Sequence, residues 1–400
     1  MQRPANILFV HYGNEWIRGS ERCLLDLLKH IDRNSFTPTV WCNSETMGEA
    51  VGKLDISAEV MPMPILFGWQ APRFNLSGYT RLIGHSVRSI RREKIDLIHA
   101  NSGAPVQWLH PAARITRTPL LAHLHARYPL RDRLTLGLHQ VSLAVGVSQP
   151  VTEQLHSDGM PASRTRVIPN AIDIDHHDNQ PAIDLRALLR VKASDFLLVT
   201  VGSLIERKGV DLLIEGVKRL RDQQMPLHLA VIGDGPERAA LQQQIGDLGL
   251  QQQIHLLGER DNVPSLLRGG ADLFISAARE EVFGLVLAEA ALAQLPVIAP
   301  AVGGIPGVVA DGISGKLFAV ENIDAMNRAI TTLYHSPGLR RQMGDFGRQQ
   351  VEKQFNIKRY CNAFENSYRE LLTQPQHRMN WYRHWSGAPA LGRAISMLVK

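Results

Sequence analysis

Short apolar runs alternate with amphipathic stretches along most of the chain. Residues 7–10 (ILFV) are a continuous apolar run of strand length. Residues 20–31 (SERCLLDLLKHI) then place Leu24, Leu27, Leu28 and Ile31 at helical spacing behind Ser20, which reads as an N-cap. The alternation continues with strands predicted at 39–42, 95–100, 120–125 and 143–147, the second of them preceded by a basic helix. From residue 196 the plan repeats. Strands are predicted at 196–202, 227–233, 254–257, 272–276 and 296–299, and helices at 210–221, 236–248, 263–268 and 284–294. Unbroken apolar strands alternating with helices are the pattern of parallel sheets covered on both faces, so two doubly wound α/β units are expected. Between them, DIDHHDNQPA (173–182) is polar, contains a proline and reads as a solvated hinge.

Composition narrows the class. A chain of 400 residues, 44% hydrophobic and 20% charged, suits two soluble globular domains. No apolar run reaches 18 residues, so no membrane-spanning helix is expected, and residues 1–10 lack the long apolar stretch of a signal peptide. Cys23, Cys42 and Cys361 are odd in number, far apart and outside any CxxC spacing. They predict neither disulfides nor zinc, and they fit a reducing cytoplasm. The net charge of +6 is uneven: +4 over residues 1–175, −2 over 176–372 and +4 over 373–400. Basic charge on the first half and tail favours an anionic partner, a membrane surface or an anionic acceptor, and no nucleic acid is expected. Arg81, Arg88 and Arg92 share one face of the basic helix, and the tail adds Arg378, Arg383, Arg393 and Lys400 beside Trp381, Tyr382 and Trp385. Aromatic rings with cations suit a headgroup interface on the inner face of a membrane.

Two constellations carry chemistry. In the first, Gly202 to Gly209 (GSLIERKG), a strand runs through a turn into a helix, which places Arg207 and Lys208 at the carboxyl end of a sheet. Ligands bind there in open α/β folds, and two adjacent cations suit a diphosphate, although a solvated Arg-Lys pair is the plainer reading. In the second, EVFGLVLAE, Glu281 falls in a loop and Glu289 one to two turns into the following helix. Two carboxylates so placed can grip vicinal hydroxyls; the plainer reading is acidic residues complementing a helix dipole. Gly303-Gly304-Ile305-Pro306-Gly307 is a further backbone-exposing loop at that sheet edge. Asp173-Ile174-Asp175, followed by His176, His177 and Asp178, imitates a metal motif but falls in the hinge, and no metal is expected there.

The ordered runs VGSLIERKGVDLLIEG, LAVIGDGPERAAL, EEVFGLVLAEA and PVIAPAVGGIPGVVADGISGKLF strongly resemble the GT-B glycosyltransferases of family 4, and IRGSERCLLDLL, PLLAHLHARY and RVIPNAIDID resemble that family's first half more loosely. The resemblance implies an acceptor-side domain at 1–175, a linker at 176–192, a donor domain at 193–355, a helix at 356–372 crossing back to the first domain, and a tail at 373–400. The two domains would face a central cleft. It implies retaining, metal-independent transfer of a sugar from a UDP- or GDP-type donor to a glycan or lipid-linked acceptor, with no cofactor. Arg207 and Lys208 would hold the diphosphate, Glu289 the ribose, and Glu281 with the backbone of Phe283, Gly284 and Leu285 the sugar. Gly258, Glu259 and Arg260 would meet the base and Gly202 the phosphates. Gly19 would let the chain approach donor or acceptor, as a donor-binding residue. His125 would approach the sugar from the first domain, with His123 as the rival. The sequence departs from the family pattern at Ser203, Val282, Ala171 and Gly307. The looser resemblance of the first half keeps a GT-B nucleotide-sugar epimerase open as an alternative, and Gly307 and Ser203 keep open a catalytically silent nucleotide-sugar-binding subunit.

Overall fold

A computed structural model describes residues 3–67 and 74–373. The chain forms two compact units, one running to Asn170 and resuming at Ile357, the other Ala171–Asn356. The hinge expected at 173–182 and the linker at 176–192 are therefore built into the second unit. Helices Ile174–Asp178 and Leu185–Leu189 lie in this stretch. Asp178 pairs with Arg348 at 2.6 Å, and Arg268 donates to the carbonyls of Asp178 and Gln180 at 2.7 Å. These bonds explain how a polar sequence acquires fixed structure: its charges and carbonyls are answered by two arginines.

The first unit holds a seven-stranded parallel sheet. Its strands are β1 (Ala5–His11), β2 (Phe36–Cys42), β3 (Ala58–Val60), β4 (Leu97–Ala100), β5 (Leu120–Leu124), β6 (Leu143–Gly146) and β7 (Thr165–Val167), in the order β3-β2-β1-β4-β5-β6-β7. The apolar run Ile7–Val10 is fully buried, as a central parallel strand requires. The helix Ile357–Thr373 belongs to this unit. It buries Phe364 and Tyr368, and the Tyr368 hydroxyl lies 2.7 Å from Nδ1 of His99 on β4.

The second unit holds a six-stranded parallel sheet. Its strands are β8 (Phe196–Val201), β9 (Leu227–Ile232), β10 (Ile254–Gly258), β11 (Leu273–Ile275), β12 (Val297–Pro300) and β13 (Gly315–Phe318), in the order β10-β9-β8-β11-β12-β13. The three strands absent from the sequence reading, β3, β7 and β13, are the short edge strands at residues 58–60, 165–167 and 315–318. They are only partly buried, so they lack the continuous apolar signature of the central strands. The helix expected to start behind Ser20 runs instead over Gly19–His30. Its start is set by Glu21, whose carboxylate accepts from the Arg18 N–H at 3.1 Å.

Both sheets reverse their strand order once, between β1 and β4 in the first and between β8 and β11 in the second. At such a point the two crossover connections leave in opposite directions, and the carboxyl ends of the paired strands stay open. His11 ends β1 and Asn101 follows β4. Gly202 follows β8 and Ser276 follows β11.

Candidate active site

In the second unit, Thr200, Val201, Gly202, Lys208, Ser276, Glu281 and Leu287 line one small cavity at the β8/β11 strand ends. Lys208 closes a 3₁₀ turn, Glu206–Lys208, and its ammonium lies 2.6 Å from the Glu281 carboxylate, both side chains mostly shielded. The structure thus brings together a cation from the first constellation and a carboxylate from the second. Arg207, on the same turn, exposes its side chain; its carbonyl accepts the Arg279 N–H at 2.8 Å. The Arg279 guanidinium pairs with Asp211 and Glu321 and donates to the Glu206 carbonyl. This clamp ties the ERKG turn to the loop that carries Glu281.

The GGIPG loop finds its role here. Gly304 N–H donates to the Glu281 carbonyl at 3.0 Å, and a Cβ on Gly303, held at φ +55°, would lie 1.7 Å from that oxygen. Only glycine permits that approach. Phe283 is buried against Phe355, ring centroids 5.5 Å apart. Gly284 caps the helix Leu285–Leu292, and Glu289 sits in its second turn. His177, from the stretch read as a hinge, is buried with Nε2 4.0 Å from the Glu289 carboxylate. Gly258 ends β10, two strands from β8, and Glu259 and Arg260 are exposed just beyond it.

In the first unit, Gly19 opens the helix Gly19–His30 with open space where a Cβ would stand. The two candidate histidines part company. His123 is fully buried on β5 among Phe364, Tyr360 and His99, and neither ring nitrogen has a hydrogen-bond partner. His125, one residue past the strand, is part-buried, and its Nε2 lies 3.1 Å from Oδ1 of Asn101. Asn101 continues to His11 and His11 to Glu21, at 3.0 and 3.1 Å. The sequence reading passed over His11, Glu21 and Asn101. The usable signal was that His11 and Asn101, like His125, are polar residues at the carboxyl ends of apolar strands.

Burial governs the charge state of this cluster. It pushes the His99 imidazole down to about 3 and that of His123 well below the ordinary histidine range, with the charge of His125 adding to each. His125 is also taken to about 3, by burial and then by the charge of His11, with Glu21 opposing. Burial pushes the Glu21 carboxyl up, but the hydrogen bond and charge of His11, with backbone N–H groups, overcome it and hold it at about 2. At neutral pH the three histidines are neutral and Glu21 is ionised.

The glycosyl transferases group 1 family model matches residues 184–350, and the glycosyltransferase family 4 model matches residues 17–176. Among similar proteins, N-acetyl-alpha-D-glucosaminyl L-malate synthase of Bacillus anthracis is 24% identical over 315 residues, covering 76% of this chain and 81% of the relative. A GDP-mannose-dependent alpha-(1-6)-phosphatidylinositol monomannoside mannosyltransferase of Mycolicibacterium smegmatis is 27% identical over 287 residues, 65% of this chain and 73% of the relative. A solved glycosyltransferase from Rickettsia africae superposes with a TM-score of 0.81 at 20% identity, covering 94% of this chain and all of that one. Anabaena HepE in complex with UDP and glucose gives 0.75 at 24% identity, with 90% and 98% covered.

The neutral histidines generate a stability prediction. His99, His123 and His125 bind protons in the unfolded chain below about pH 6.5 and in the folded chain only far lower. Stability is therefore complete above about pH 6.5 and falls as the pH drops toward 3. Between pH 7 and 5.5 each histidine should cost about 1 kcal/mol. Glu21 keeps its contribution above about pH 4.5 and stays out of that window. Denaturant unfolding at both pH values should show the loss, and His123→Leu should reduce it by one histidine's share. An unchanged pH dependence in that variant refutes the assignment.

Proposed function

The chain belongs to the group 1, family 4 glycosyltransferases of GT-B fold, and on that premise we propose that it is a retaining, metal-independent enzyme that transfers a sugar from a nucleoside-diphosphate sugar to a glycan or lipid-linked acceptor. One observation carries the donor assignment. Lys208 and Glu281 meet at 2.6 Å at the β8/β11 switch point, one helix away from Glu289. A shielded ammonium there faces the charge that grows on a departing diphosphate, and fixed charges in a low-dielectric site need no reorganisation as the bond breaks. Lys208 with Arg207 serves the diphosphate. Glu281 and the backbone at Phe283, Gly284 and Leu285 hold the sugar, Glu289 holds the ribose, Gly202 adjoins the phosphates, and Gly258, Glu259 and Arg260 adjoin the base. HepE, which binds UDP and glucose, supports a donor of UDP type, and the GDP-mannose-dependent relative supports one of GDP type. The acceptor hydroxyl oxygen bonds to the anomeric carbon on the face that the diphosphate leaves, and its proton passes to the leaving phosphate oxygen. In this reading the first unit, with His125 and Gly19, is the acceptor side.

The relative acting on a phosphatidylinositol mannoside supports a lipid-linked acceptor, and so does the surface of the first unit. The helix Leu76–Arg92 turns Arg81, Arg88, Arg91 and Arg92 to solvent and buries Leu82 and Ile90. Phe74 and Leu76 are exposed at its start. The basic aromatic tail proposed to join it lies outside the described residues. Among the described residues, no helix is long and apolar enough to cross a membrane. Each cation near an anionic leaflet contributes about 1 kcal/mol, which suits reversible attachment.

Lys208→Ala and Glu289→Ala should each lower turnover by about 100-fold or more while the protein stays folded. Near-normal transfer by folded Lys208→Ala refutes the donor site. EDTA should leave activity intact, since Arg207, Lys208 and helix ends supply the positive field. Loss with EDTA, restored by Mn²⁺ or Mg²⁺, overturns the metal-free mechanism. In flotation with anionic vesicles at low salt, the full chain should rise with the lipid and a chain truncated after Leu372 should not. Failure of the full chain to float, or equal flotation of the two, removes the tail's role.

A further inference from the structure

The polar chain at the β1/β4 switch point fixes more than a set of distances. Asn101 is buried, and its Nδ2 lies 3.3 Å from the Ser20 carbonyl oxygen. A carbonyl only accepts, so the amide must turn Nδ2 that way. Nδ2 also lies 3.0 Å from Nδ1 of His11, and that nitrogen lies 3.3 Å from the Asn101 carbonyl oxygen. Nε2 of His11 lies 3.1 Å from the Glu21 carboxylate, with both residues buried. On its other side Asn101 presents Oδ1, which only accepts, so Nε2 of His125 must donate across the 3.1 Å between them. The lone pair of His125 is then on Nδ1.

Gly13 shows how tightly the far end is closed. A Cβ there would meet Nε2 of His11 at 2.5 Å and the Glu21 carboxylate at 2.9 Å. The backbone covers the pair and excludes water that would compete for its hydrogen bond. The Glu21 carboxylate is further held by the Arg18 N–H.

We propose that Asn101, its amide turned by the Ser20 carbonyl, is a positioning residue that locks His125 as its Nε2–H tautomer, so that Nδ1 is a fixed hydrogen-bond acceptor for a substrate hydroxyl. The relay rests on the geometry alone; the hydroxyl rests on the sugar-transfer reading above. Direction is set at the Ser20 carbonyl: it accepts from Nδ2, which leaves Oδ1 of Asn101 to accept from His125. A neutral imidazole held this way orients a hydroxyl without drawing its proton away.

The test is nitrogen-15 NMR of the histidine side chains in the full-length protein at neutral pH, with His125 assigned by its loss in His125→Gln. The expected pattern is a protonated Nε2 and a bare Nδ1 in the wild type. In Asn101→Leu the two nitrogens should shift toward tautomer-averaged values, and kcat should fall by about tenfold or more with little change in donor KM. A wild-type His125 that carries its proton on Nδ1, or averages both tautomers, overturns the relay without recourse to any variant. So does a folded Asn101→Leu whose His125 signals are unchanged. The NMR measurement needs no donor. A wild type with the expected tautomer that transfers sugar from no nucleotide sugar therefore removes the substrate hydroxyl and the transfer reading and leaves the relay standing.

Discussion

The reversal of strand order within each parallel sheet is the constraint on which the sites depend. β8 pairs with β9 on one side and β11 on the other, and β1 is likewise flanked by β2 and β4. Connections wound in opposite senses cannot cover the strand ends between them, so those ends stay open to a ligand. The residues there owe their positions to backbone pairing. Gly202 N–H donates to the Ile232 carbonyl and Asn101 N–H to that of Val10, so each site residue hangs directly from the ladder. Strand ends held by a sheet are precise supports, and positioning within a fraction of an ångström is what transfer chemistry requires.

The loops are fixed by different means in the two units. In the second, backbone contacts and ion pairs carry the work: Gly303 and Gly304 close on the carbonyl of Glu281, and Arg279 joins the loop to Asp211 and Glu321. In the first, the lock is a buried side-chain network that runs from Glu21 through His11 and Asn101 to His125. Buried polar groups are costly unless paired, and here Asn101 meets the Ser20 carbonyl and His125 while His11 meets Glu21. Lys208 and Glu281 pair opposite charges in the second unit, whereas Asn101 and His125 offer directed but uncharged contacts in the first.

Much of this was legible in the sequence. The central strands announced themselves as unbroken apolar runs, and the family resemblance located Lys208, Glu281 and Glu289. What stayed hidden has physical causes. β3, β7 and β13 are edge strands with partial burial, so their composition carries no strong pattern. The stretch 173–182 looked solvated because its partners, Arg268 and Arg348, stand far along the chain, and long-range pairing leaves no local trace. His11 was unreadable for the same reason: 10 residues separate it from Glu21 and 90 from Asn101, and only the β1/β4 pairing brings the three together.

His123 and His125 show what two residues of strand can decide. Alternation along a strand puts i and i+2 on one face, and sequence alone left them as rivals. β5 ends at Leu124, so His123 remains inside the ladder and its ring is enclosed by His99, Phe364 and Tyr360. His125 has left the ladder. Its ring centroid still lies 4.0 Å from that of His123, the planes tilted by 48°, but its Nε2 reaches Asn101 at the open strand ends. The helix Ile357–Thr373 closes over the inner histidine and supplies the apolar wall that keeps it neutral. One histidine therefore belongs to the core and the other stands at the open strand ends, and the division falls where the β-ladder stops.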